Sequence, residues 1–217
     1  MRLVTTNPPA VEPITFDDLV KINCRVDTDD ESTLFTTWIQ SAREYCEARI
    51  SQFFITRSVD IYLDRWPTVR SCWPYVYYLT GTTHYTHFSE DDRHNVIHIP
   101  YGPLQSVEGI TYVDSTGAEQ TWDTSEYYVS TGKRPRIQAI NGFPDHLRRI
   151  DSIKISATFG YGDAASDIPA NVIHAMLLYV GEANRQRAES TDLKLMVVPI
   201  AIDNLLAKVS AGGEYVF

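Results

Sequence analysis

The hydrophobic period of this chain changes from helical to alternating and back again, and no other feature constrains its fold as much. Leu34, Phe35, Trp38, Ile39, Ala42, Cys46, Ile50 and Phe53 recur at helical spacing over about 20 residues, with Arg43, Glu44, Glu47 and Arg49 on the other face. From Arg57 the period becomes two, as Val59, Ile61 and Leu63 alternate with Ser58, Asp60, Tyr62 and Asp64. The helical period returns behind Pro169, with Val172, Ile173, Met176, Leu177, Val180 and Ala183, and again behind Pro199, with Ile202, Leu205, Leu206 and Val209. A 3.6-residue period buries one stripe of a helix, and a period of two buries one face of a strand. The expectation is an α+β fold, in which a small helical bundle is assembled from both chain ends and carries an inserted antiparallel β module. Residues 1–56 and 168–217 would form the helical body with its C-terminal tail, and residues 57–167 the β-rich insertion.

Local signals place the elements. Residues 1–13, with Pro8, Pro9 and Pro13, read as an irregular arm. Thr15 and Asp18 have the spacing of a capping box, and Ile14 with Leu19 that of a hydrophobic staple, which predicts a short helix ending near Asn23. Short strands are expected at Val96–Tyr101, Gly109–Asp114, Glu119–Trp122, Tyr127–Ser130, Arg136–Ile140 and Ile153–Phe159, arranged as a compact sheet or small barrel. Gly160-Tyr161-Gly162 turns the last strand toward the helix opened by Pro169, since glycine permits positive φ. Asp163 and Asp167 favour that helix start. Residues 190–198 read as a linker, and Gly212 and Gly213 stop the final helix. The stretch 66–95 is different in kind. It is an extended aromatic hairpin or loop carrying Trp66, Trp73, Tyr75, Tyr77, Tyr78, Tyr85 and Phe88, and loops of that length in compact domains are usually functional.

Composition narrows the functional classes. At 217 residues the chain can bury a core without metals or disulfides. A net charge of −9 argues against a sequence-reading nucleic-acid binder, which needs a basic stripe to neutralise phosphates. It permits a surface that nucleic acid slides past. Cys24, Cys46 and Cys72 are odd in number and fit no zinc or redox spacing, so a reducing compartment is expected. No signal peptide and no run of about 18 apolar residues is seen, so no membrane role is expected. The 13 tyrosines suit either β strands or interfaces where one ring face is dry.

The search for catalytic chemistry finds little. His84, His87, His94 and His98, with Glu90, Asp91 and Asp92 among them, supply ligand types but no mechanistic spacing. Asp27-Thr28-Asp29-Asp30-Glu31 lacks the central glycine and distal glutamate of a calcium loop, and reads as an acidic helix start. No nucleophile elbow and no phosphate loop occurs. No catalytic residue, metal or cofactor is expected.

Three stretches carry a family resemblance. They are Ile14–Leu19 running through Val26–Glu31 into the second helix, Pro103–Asp114, and Phe159–Asp163 with Ile168-Pro169-Ala170 and the helix behind it. Together with Pro199–Leu206, in this order, the chain resembles the head–tail connector proteins of long-tailed bacteriophages, also called head-completion or adaptor proteins. The resemblance implies a virion neck protein, made in the bacterial host cytoplasm, that forms a ring of probably twelve copies beneath the portal protein. The ring would extend the DNA channel and present a surface to a downstream stopper or tail terminator. It implies that the C-terminal segment docks on the portal, here Ile202, Leu205, Leu206 and Val209 with Tyr215, Val216 and Phe217. Asp27, Asp29, Asp30 and Glu31 are candidates for an acidic channel lining past which packaged DNA slides. Trp66 and the aromatic residues 73–88 are candidates for contacts with a partner or neighbouring subunit.

Two other readings stay open at the level of sequence. One is a binding module whose aromatic loop engages a glycan or a host protein. The other is a metal-dependent hydrolase built on the histidine-rich stretch.

Overall fold

Alternation becomes pairing in the middle of the chain. The computed structural model describes residues 1–67, 95–185 and 200–210, and the chain divides into two units: Met1–Pro8 with Arg57–Gly160, and Pro9–Thr56 with Tyr161–Phe217. In the first unit, β1 (Arg2–Thr5), β2 (Arg57–Leu63), β4 (Leu104–Val113), β5 (Glu119–Thr121) and β8 (Ile153–Phe159) form one antiparallel sheet in the order β1-β2-β8-β4-β5. A second sheet has the order β3-β7-β6, from β3 (Val96–His98), β6 (Tyr127–Ser130) and β7 (Arg136–Ala139). Among the described residues the strands therefore form two sheets, where a compact sheet or small barrel was expected.

Register explains which face is dry. Ile61 lies opposite Ile155, which in turn lies opposite Ile110, so one face of the central three strands is a continuous aliphatic surface. β2 and β8 alternate between buried and half-buried along their whole lengths. The other face is stitched by polar pairs: Ser156 Oγ donates to Asp60 Oδ1 at 2.7 Å, and Lys154 Nζ meets Asp60 Oδ2 at 3.0 Å. Asp114 builds the β4–β5 turn, its Oδ1 accepting from the N–H groups of Thr116 at 2.9 Å and Ala118 at 3.0 Å.

The N-terminal arm differs from expectation. Arg2–Thr5 is an edge strand, with Leu3 opposite Ile61. Arg2 also pairs with Asp151 at 2.5 Å and lies over the Tyr62 ring, 4.5 Å from its centroid. Four mostly exposed residues carry no readable period, and their strand exists because β2 offers a free ladder edge.

The second unit is helical. A π-helical turn, Phe16–Val20, leads into α1 (Lys21–Cys24), followed by α2 (Ser32–Ile50), α3 (Ala170–Arg185) and α4 (Ile200–Val209). The capping box does not close as sequence spacing suggests. Thr15 Oγ1 donates to Asp18 Oδ2 at 2.7 Å instead, and Val20 N reaches Thr15 O at 3.4 Å in the wider i→i+5 pattern. Aspartate is one methylene shorter than the glutamate that reaches back in such a box. Ile14 is buried while Leu19 is exposed, so no staple forms. α2 ends on Ser51 at φ 54°, a left-handed cap. Phe35, Ile39 and Cys46 of α2 share one core with Val172 and Met176 of α3 and Leu206 of α4. Each such side chain contributes about 1.5–3 kcal/mol of transfer free energy.

Glycine does different work at the two ends of Gly160-Tyr161-Gly162. Gly160 has φ 135°, which a side chain would resist. Gly162 leaves room for the Asp167 side chain, which sits where a Cβ would be and accepts from Ala164 N at 3.0 Å.

Candidate partner interface

The apolar stripe of the final helix, expected as a docking surface, points inward. Ile202, Leu206 and Val209 are buried in the helical unit's core, and Leu205 packs against that core half-buried. Arg49 of α2 grips the helix in a two-pronged pair, Nε to Asp203 Oδ1 at 2.9 Å and Nη2 to Asp203 Oδ2 at 3.0 Å. Gln52 Nε2 donates to Val209 O at 3.4 Å, and Gln52 Oε1 accepts from the Tyr161 hydroxyl. Four of the seven expected portal contacts therefore serve the chain's own core, because a stripe at i, i+3, i+4 and i+7 satisfies the nearest apolar surface. Tyr215, Val216 and Phe217 lie outside the described residues, as do residues 190–198.

Trp66 also turns inward. It is 4% exposed, its Nε1 donates to Pro144 O at 2.8 Å, and its ring stacks on Phe143 at 5.0 Å with an interplanar angle of 4°. Trp122 lies 5.2 Å away and passes the cluster on to Tyr127 at 4.9 Å. An indole with its N–H satisfied and both faces covered is a core residue. Sequence reading missed Trp122, Tyr127 and Phe143 as its partners, because they come from three separate segments. Trp73, Tyr75, Tyr77, Tyr78, Tyr85 and Phe88 lie outside the described residues, together with His84, His87 and His94. His98 is an exposed residue of β3. Among the described residues no group of three or more His, Cys, Asp or Glu is placed to hold a metal ion.

The acidic run is where charge and apolar surface meet. Asp27, Asp29 and Asp30 are exposed and Glu31 half-buried, just ahead of α2. Lys21 folds the run back on the preceding helix by pairing with both Asp29 and Asp17, the latter at 2.9 Å. These hydrogen bonds, Asp29 first, raise the Lys21 ammonium above its ordinary value. Lys21 also sits 5.0 Å from the Phe16 ring, which touches Phe35 of α2 with centroids 5.0 Å apart. On these linked segments Leu19, Ile22 and Leu34 are exposed, Ile22 by 77%.

A second exposed tip has the opposite sign. Between β7 and β8, Leu147 N donates to Val113 O at 2.8 Å. Four residues later Asp151, at φ 55°, donates its N–H to Asp64 Oδ1 at 3.0 Å, and Ser152 Oγ donates to Asp64 O at 3.0 Å. Between these clamps stand Arg148, Arg149 and Ile150, all exposed, Ile150 by 81%.

Sequence reading also assigned Arg43 and Glu47 to the outer face of α2. Both are buried. Arg43 Nε donates to Glu12 Oε2 at 2.8 Å and Nη1 to Glu47 Oε2 at 3.2 Å, while Glu47 Oε1 accepts from Phe54 N at 3.0 Å. The network is a structural clasp holding the incoming chain and the exit of α2.

No protein-family model and no curated protein matches the chain. Solved structures do. A chain in the neck of an empty gene transfer agent particle computed with C6 symmetry aligns at a TM-score of 0.66 and 16% identity, over 94% of this chain and 95% of that one. A chain in the virion of a native gene transfer agent particle gives 0.67 and 17%, over 94% and 95%. A chain in the neck of a native particle computed with C12 symmetry gives 0.63 and 17%, over 94% of each. The chain has the fold of these particle chains. Within this fold the described residues present two exposed surfaces of opposite charge, each with a protruding isoleucine.

Proposed function

We propose that this protein is a structural subunit of a phage-like neck, a head–tail adaptor that rings the DNA channel beneath the portal and joins capsid to tail. The observation that carries the reading is the fold likeness over 94% of the chain to chains of gene transfer agent necks and virions. The C6 and C12 symmetry of those neck structures supports a cyclic assembly, with twelve copies as the working number. The reading assigns no catalysis. A net charge of −9 suits a channel wall that repels packaged DNA.

The geometry supports two details of the reading. Because the stripe of α4 is occupied by its own core, the reading gives the portal contact to residues 211–217, with Tyr215, Val216 and Phe217 as its apolar anchors. Buried aromatic and aliphatic anchors of this kind carry much of the binding energy at an interface. Asp27, Asp29, Asp30 and Glu31 stand beside exposed Leu19, Ile22 and Leu34, which suits a seam between subunits better than a bare channel wall.

Electron microscopy of the protein mixed with portal-bearing particles tests the reading. An added annular layer on the portal is expected. Folded protein and intact portals with no added density would refute it.

A further inference from the structure

We propose that adjacent copies join by seating the Arg148–Arg149–Ile150 tip of one copy on the acidic apolar surface around Ile22 of the next. The proposal rests on the ring reading and names the contact that builds the ring.

Single exposed hydrophobics are ordinary. Two observations set these apart. First, both are held on clamped backbone. Ile150 lies between the Leu147–Val113 and Asp151–Asp64 hydrogen bonds, and Ile22 lies on the short helix that Lys21 ties to Asp17 and Asp29. Surfaces already fixed lose little conformational entropy when they bind. Second, their charges are opposite. Residues 17–31 hold six carboxylates against Lys21 and Arg25, a net of −4, while Ile150 follows two arginines directly and the carboxylate after it, Asp151, is paired with Arg2. Desolvating an isoleucine inside a rim of complementary charge is the arrangement that fixes partner and register.

The same charges decide which surfaces meet. Two acidic surfaces repel when placed face to face, and so do two arginine tips. On the ring reading the contact is heterologous, and each copy gives its tip to one neighbour and its acidic surface to the other. A heterologous contact of this kind makes rings when its rotation closes.

Disulfide trapping on portal-bearing particles, with wild type imaged alongside, tests this. In a Cys24→Ser, Cys72→Ser background, which removes the native thiol two residues from Ile22, the variant carrying both Ile22→Cys and Ile150→Cys should give a ladder of covalent multimers on oxidation, and neither single variant should. Reversing the tip with Arg148→Glu and Arg149→Glu should weaken ring assembly at least tenfold. Adding Asp27→Lys and Asp30→Lys in the same chain should restore it. If wild type forms the annular layer but the double-cysteine variant gives no more multimers than the single ones, the proposal is overturned and the adaptor reading stands. If wild type forms no layer, both fall. Circular dichroism separates loss of assembly from loss of fold, and where charge reversal unfolds the chain the cysteine pair decides.

Discussion

Glu47→Leu is the most informative single change in the helical unit. The Arg43 and Glu47 side chains are each 7% exposed, and Glu12 at the rim is 30% exposed. The substitution keeps the volume of the site but removes the carboxylate that pairs with Arg43 Nη1 at 3.2 Å and accepts from Phe54 N at 3.0 Å. Breaking a buried ion pair from one side costs about 3–5 kcal/mol, because the remaining charge stays buried. Glu12 still compensates part of the guanidinium charge, so the lower end, about 3 kcal/mol, is expected. At about 2–4 °C per kcal/mol for a chain of this size, the thermal midpoint should fall by about 6–12 °C. Adding Arg43→Met removes the stranded charge, and the double variant should recover to within about 1–3 kcal/mol of wild type, the cost of a backbone N–H that has lost its acceptor. Thermal and urea denaturation of the purified protein, followed by circular dichroism, measures all three. A Glu47→Leu midpoint within 2 °C of wild type, or a double variant less stable than the single one, would refute the buried-clasp argument.

Other expectations follow from the same structure. Trp66→Ala should cost about 3–5 kcal/mol by opening a cavity beside Phe143 and Trp122, and a near-neutral denaturation result would place Trp66 at the surface. The Asp114 carboxyl is pulled from 3.8 to about 2, first by the Thr116 and Gln120 side chains and then by the backbone N–H groups of Ala118 and Thr116. Since its folded value is depressed, its stabilising contribution is present above its unfolded value and disappears as pH falls toward 2. An NMR titration midpoint near 3.8 for Asp114 would contradict that turn geometry. Burial pushes the Cys46 thiol up to about 12, so alkylation at about pH 8 should reach it only on unfolding, and labelling in the native state would count against the packing of α2. Ile202→Asp should unfold the helical unit, whereas deleting residues 211–217 should leave the fold intact and abolish portal attachment. Unchanged attachment after the deletion would move the docking site elsewhere.

The periodicity of the chain was enough to place α2, α3, α4, β2 and β8, because backbone geometry turns spacing directly into a buried face, whereas the exposed β5 was marked by the turn ahead of it and Leu104–Glu108 of β4 were not legible as strand. Pro169 and Gly160 marked their joints, since φ limits act locally. The acidic run ahead of α2 was also readable, as was its exposure. Sequence period, however, states only that a face is apolar. It does not say what covers that face. The stripe of α4 was legible as a stripe and not as an element of its own core, and Trp66 was legible as an aromatic residue and not as the partner of Phe143. Arg43 and Glu47 read as a solvated face, because their burial depends on Glu12 and the Phe54 amide arriving from elsewhere in the chain. The strand β1 has no signal of its own and exists only as a partner of β2. The two exposed isoleucines became visible as surfaces only after long-range hydrogen bonds and ion pairs had clamped the segments beneath them. Local propensity and period, fixed by neighbours a few residues away, were written in the sequence itself. Coverage, pairing order and the placing of charge were decided by contacts between residues far apart in the chain, and those exist only in the folded structure.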